Sequence, residues 1–145
     1  MNAPLYNQQI LRLAATTPAT RLAAPMASVE KRSPVCGSRV TVDVDVDGEG
    51  RVAAIGMLVR ACALGQASAT LMAADVVGKS AADLAAARDA LTAWLAGDGA
   101  MPDWPGLDIL APALPYSARH ASIRLAFEAV AEAAAVAAET RRAAA

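Results

Sequence analysis

Val40, Val42, Val44 and Val46 alternate strictly with Thr41, Asp43, Asp45 and Asp47. A period of two predicts a β-strand with one buried face and one wet face. Asp47-Gly48-Glu49-Gly50 then reads as a turn, and Val52, Ile55, Met57 and Val59 resume the apolar pattern, so the two runs form a β-hairpin. Past Cys62 the spacing becomes helical. Residues 63–77 carry Leu64, Leu71, Met72 and Val76 among small side chains, and Gly78 follows at a C-cap position. Ser80 caps the next helix, with Asp83 three residues on as in a capping box, and that helix runs through Leu84, Leu91, Trp94 and Leu95 to Gly97.

Residues 97–115 hold three Gly and four Pro, a loop with a turn around residues 107–110. The final helix spans residues 118 to about 140, with Ile123, Phe127, Val130 and Ala134 on one face. Ahead of the hairpin, residues 5–15 form a short helix that stops before Pro18. Residues 20–34 read as a connector with a short edge strand around residues 22–26. The order predicts an α+β fold: a small antiparallel sheet of about three strands with several helices packed on one face. At 145 residues the chain is expected to be a single domain, with flexible ends at about residues 1–4 and 140–145.

Composition narrows the classes. The chain is 56% hydrophobic but only 3% aromatic, because alanine supplies most of the apolar surface. The most apolar windows, residues 52–64 and 126–138, carry Arg60, Glu128 and Glu132 and are shorter than the ~20 residues a membrane-spanning helix needs. Arg12 interrupts the apolar N-terminal segment, which argues against a signal peptide. Thirteen basic and fourteen acidic residues are scattered, leaving no footprint for nucleic acid. Two cysteines without an export signal fit a reducing cytoplasm, where thiols serve as ligands or nucleophiles more often than as staples.

Three motifs tempt and fail. Asp43-Val44-Asp45-Val46-Asp47-Gly48 starts like a calcium loop, but Ala54 stands where that loop requires Glu, and the alternation accounts for every residue. Gly78-Lys79-Ser80 resembles the end of a phosphate loop, yet Ala73 replaces its first glycine and the segment before it is helical. His120 is the single histidine, and no nucleophile-elbow pattern accompanies it.

Cys36 and Cys62 are 26 residues apart and flank the hairpin. An antiparallel hairpin returns to its starting end, so the two thiols can sit together there, beside a helix N-terminus whose dipole favours an anionic sulfur. On spacing alone, two small cysteines in a packed core fit slightly better.

The residues around them resemble the NifU/IscU/SufU family of iron–sulfur cluster assembly scaffolds. Cys36-Gly37-Ser38 is similar to the family's Cys-Gly-Asp, and Ala61-Cys62-Ala63-Leu64-Gly65-Gln66-Ala67-Ser68-Ala69-Thr70-Leu71-Met72 to its second-cysteine segment. Gly78-Lys79-Ser80 falls where the family has the same three residues. Leu5-Tyr6-x-Gln8-x-Ile10 resembles the SufU-like opening helix, and the run from Ala118 to Phe127 resembles the helix that carries the third cysteine. The likeness covers residues 5–130, and the interval from Cys62 to Ser122 is SufU-like.

The resemblance implies a transient iron–sulfur cluster, or zinc, held by three cysteines and an aspartate. Cys36 and Cys62 keep two of those positions, whereas Ser38 replaces the aspartate and Ser122 the third cysteine. The family's Pro-Arg-Asn-x-Gly is degraded to Pro18-Ala19-Thr20-Arg21-Leu22. Serine keeps its proton near neutral pH and is a poor ligand for zinc or iron. His120 is a candidate replacement, but two residues along a helix turn it about 200° from Ser122. Tyr6 and Arg119 are candidate partner contacts.

The implied partners are a cysteine desulfurase and cluster-accepting proteins, with neither nucleic acid nor membrane. The expected role is a scaffold or sulfur acceptor rather than a catalyst. A non-metallated adaptor that keeps the fold and partner surface is the alternative. A small enzyme using Cys36 or Cys62 as nucleophile ranks last, since His120 is the sole imidazole.

Overall fold

The structure is a computed structural model that describes residues 5–34 and 37–144. The alternating valines form β2 (Arg39–Val46), which pairs antiparallel with β3 (Val52–Arg60). Asp47 closes the turn between them, its Oδ1 accepting from the backbone N–H groups of Glu49 at 2.9 Å and Arg51 at 3.1 Å. β1 (Ala27–Arg32) adds to the other side of β2, giving the order β1-β2-β3.

The edge strand thus starts at Ala27, beyond the expected residues 22–26. That stretch instead crosses the outer face of the sheet. The Leu22 N–H donates to Asp43 Oδ2 at 3.1 Å and the Met26 N–H to Asp45 Oδ1 at 2.8 Å, so aspartates on the sheet take bonds that a neighbouring strand would otherwise supply. Gly56 makes the crossing possible, because a Cβ there would lie 2.5 Å from the Leu22 backbone nitrogen. The face expected to be wet is therefore covered at Asp43, which is fully buried.

On the inner face Val40, Val42, Val44, Val46, Val52 and Met57 are buried beneath α4 (His120–Ala144), which packs on both β1 and β2. α4 runs past the expected end near residue 140. α2 (Ala63–Asp75) and α3 (Ala81–Leu95) pack on α4 in turn. Gly78, at a φ of +91°, turns the chain between them, and Ser80 and Asp83 form the anticipated capping box. α1 (Gln8–Ala15) begins later than expected because Asn7 caps it, and it lies on α2.

The Gly/Pro-rich loop is more ordered than its composition suggests. It contains a 3-10 segment, Leu107–Ala113, and Trp104 packs edge-on against Phe127 with ring centroids 5.2 Å apart. Among the described residues no helix is long and apolar enough to cross a membrane.

Candidate functional site

At the open end of the hairpin β3 stops at Arg60, and Cys62 takes the N-cap position of α2 in an extended conformation. Its thiol makes no capping bond; it is half-buried and free, 3.3 Å from Ser122 Oγ. Ser122 sits in the first turn of α4, and Ser38 lies just ahead of β2. Both serines are buried, and their hydroxyl oxygens are 3.3 Å apart. The contacts therefore run from Ser38 through Ser122 to Cys62.

Proton arithmetic gives this row a direction. The Ser122 hydroxyl has one proton, so it can donate to only one of these two neighbours. An anionic sulfur would take that proton, leaving the Ser122 oxygen to accept. The α2 N-terminus adds its positive dipole end at the same sulfur.

Two residues outside the expected set make the approach possible. A Cβ on Gly65 would lie 2.4 Å from Ser122 Oγ and 2.7 Å from Ala61 Cβ, so glycine is what lets Ser122 reach the thiol. Ser68, fully buried in α2, donates to the Ile123 carbonyl at 2.7 Å and fixes the height of α4 against α2. Both belong to the motif around Cys62, but spacing alone gives neither a role.

His120 does not join the site as an expected ligand would. It begins α4 and is buried, with Nε2 at 3.1 Å from the Ala113 carbonyl and 3.0 Å from that of Leu114. Carbonyls only accept, so Nε2 carries a proton and is closed to a metal. Its work is to fasten the start of α4 to the 3-10 segment. Arg119, one residue earlier, stacks over the Tyr6 ring at 5.9 Å, and both side chains are exposed. Cys36 lies outside the described residues.

Among the described residues no three His, Cys, Asp or Glu side chains converge as a metal-binding group. Among the described residues the site offers one thiol and two hydroxyls, and serine hydroxyls are weak ligands for a soft metal ion. What it can do is hold and hydrogen-bond a nucleophilic sulfur.

A three-stranded antiparallel sheet backed by helices, with its polar site where the hairpin's open end meets two helix starts, defines a small α+β scaffold fold. The sequence matches no protein-family profile and no curated protein significantly. Among solved structures it is similar to a nitrogen-fixing NifU-like protein (N-terminal) from Brucella abortus, with 39% identity over 93% of this chain and 95% of that one, and a TM-score of 0.86. A protein from Fervidobacterium islandicum AW-1, described as a candidate iron–sulfur cluster assembly scaffold for the SUF system, shares the fold. Its TM-score is 0.74 at 17% identity, covering 90% of this chain and 96% of that one. The chain belongs to the NifU/IscU/SufU-like family.

Proposed function

We propose that this protein serves iron–sulfur cluster assembly as a scaffold-type carrier that accepts sulfur, or loosely held iron and sulfur, on Cys62 and passes it to a partner. Cys36 is its second thiol and a cysteine desulfurase its sulfur donor. The observation that carries this reading is the Cys62 thiol at the start of α2 with Ser122 Oγ 3.3 Å away. In sulfur transfer the Cys62 thiolate attacks the outer sulfur of a donor persulfide. The donor's S–S bond breaks, its thiolate leaves, and the new persulfide stays on Cys62. Because two hydroxyls replace stronger ligands, iron or zinc is held open to exchange rather than locked in.

A second reading has its own observation. Ser122 bridges Ser38 and Cys62 by side-chain contacts of 3.3 Å each, a polar row that a non-metallated adaptor could keep.

Anaerobic protein, incubated first with a desulfurase and cysteine and then with iron and sulfide, separates the two. The carrier gains sulfur by mass spectrometry and iron by absorbance, and Cys62→Ala abolishes both. Ser122→Cys retains iron more tightly, because a thiolate replaces a hydroxyl beside Cys62. Uptake of neither sulfur nor iron sinks the carrier and leaves the adaptor. Unchanged retention in Ser122→Cys removes Ser122 from the site.

A further inference from the structure

The outer face of the sheet is only partly covered. The crossing segment shields the rows containing Asp43 and Asp45, but the two rows nearest the hairpin's open end lie beyond it. In the last row, Arg32 of β1 pairs with Arg39 of β2, and Arg39 pairs with Arg60 of β3. Directly paired residues of an antiparallel sheet project from the same face, so three arginines occupy neighbouring positions across all three strands. In the row above, Glu30, Thr41 and Leu58 are paired likewise.

The charges in this patch do not cancel. Glu30 bonds Arg32 through Nε at 2.8 Å. Among the described residues Arg39 and Arg60 have no ion pair. Like charges directly opposite tend to destabilise a sheet, and a single carboxylate, Glu30, faces this row of three arginines. Arg60 also lies two residues before Cys62, and Arg39 adjoins Ser38.

We propose that this arginine row, with the exposed Leu58 beside it, is the docking surface for an acidic protein partner. Guanidinium forks pair bidentately with carboxylates, and arginine with a neighbouring apolar side chain is a usual composition for protein interfaces. The row spans about 10 Å across the strands, wider than a single phosphate, and Glu30, Arg39, Thr41, Leu58 and Arg60 line a small open cavity of about 180 Å³ there. A partner seated there lies beside Cys62, but the proposal holds whatever that thiol carries.

The test uses the full chain and a fluorescein-labelled twelve-residue oligoglutamate, with oligoglutamine, a single-stranded DNA twelve-mer and inorganic phosphate as rivals. Anisotropy should show oligoglutamate binding that weakens with salt and drops at least about tenfold in the Arg39→Gln/Arg60→Gln double variant. A control of equal charge change, Arg88→Gln/Arg124→Gln, should bind like the parent. The Tm of the row variant should stay level or rise, since removing the row relieves repulsion. Equal losses in both double variants reduce the effect to net charge and overturn the proposal. So does tighter row-dependent binding of DNA, phosphate binding without peptide binding, or a marked fall in Tm for the row variant.

Discussion

Asp43 accepts from four donors at once: Arg21 Nε at 2.7 Å, Arg21 Nη2 at 2.9 Å, Ser28 Oγ at 2.7 Å and the Leu22 N–H at 3.1 Å. The hydrogen bond from Arg21 does most to hold its carboxyl down, at about 2. The folded value lies below the ordinary one, so the ionised carboxylate stabilises the fold above about pH 4, and that contribution fades as pH falls toward 2. The shift corresponds to roughly 2 kcal/mol. Asp43→Asn should therefore lose about 2–4 kcal/mol at neutral pH, because an amide donor then faces the Arg21 guanidinium in a buried site. Urea denaturation at neutral and acid pH checks both numbers. The parent should lose about 2 kcal/mol more than the variant across that window, and parallel losses would exclude titration of Asp43. The strand carrying Asp43 was plain in the sequence, but its burial was not. Alternation says which residues share a face and nothing about what covers it, and the covering segment, residues 20–26, has no period.

Elements with a strong period were legible: the hairpin, the capping box at Ser80 and the helices from Cys62 onward. β1 was misplaced because its sequence, Ala-Ser-Val-Glu-Lys-Arg, is more polar than the segment before it. It is a strand because β2 offers it an unpaired edge. The site was legible as far as Cys62 at a helix start, through the change of spacing there, and Ser122 on the last helix, through family resemblance. The helix-to-helix approach was not, since it depends on an absent side chain. Gly65→Ala tests that contact. Alanine gains about 1 kcal/mol in helix propensity, yet its Cβ would meet Ser122 Oγ at 2.4 Å and Ala61 Cβ at 2.7 Å. Overpacking should win, with a net loss of about 1–3 kcal/mol. Adding Ser122→Ala removes one of the two clashes, so the double variant should recover part of that loss, read as coupling in a thermal double-mutant cycle. Strict additivity would mean the helices do not meet through this pair.

Across the whole molecule, a chain with few aromatics builds its core by bringing backbones close together. α4 buries Ala126, Ala129, Ala133, Ala134 and Ala137 completely, between the sheet on one side and α2 and α3 on the others. Small side chains let a helix serve three neighbours, and the site benefits because Ser122 sits on the same helix as that alanine surface. Closeness also removes slack. A larger apolar residue would gain transfer energy from water but must push a whole layer aside, and close-packed interiors resist such shifts. Ala133→Leu should thus destabilise by about 1–3 kcal/mol despite its greater hydrophobicity. Val136→Leu, at a position 46% exposed on the same helix, should change stability by less than about 0.5 kcal/mol. Chemical denaturation followed by circular dichroism distinguishes the outcomes. A stabilised Ala133→Leu variant would show that the layers around α4 hold unfilled space, and the close-backbone account of this core would fall.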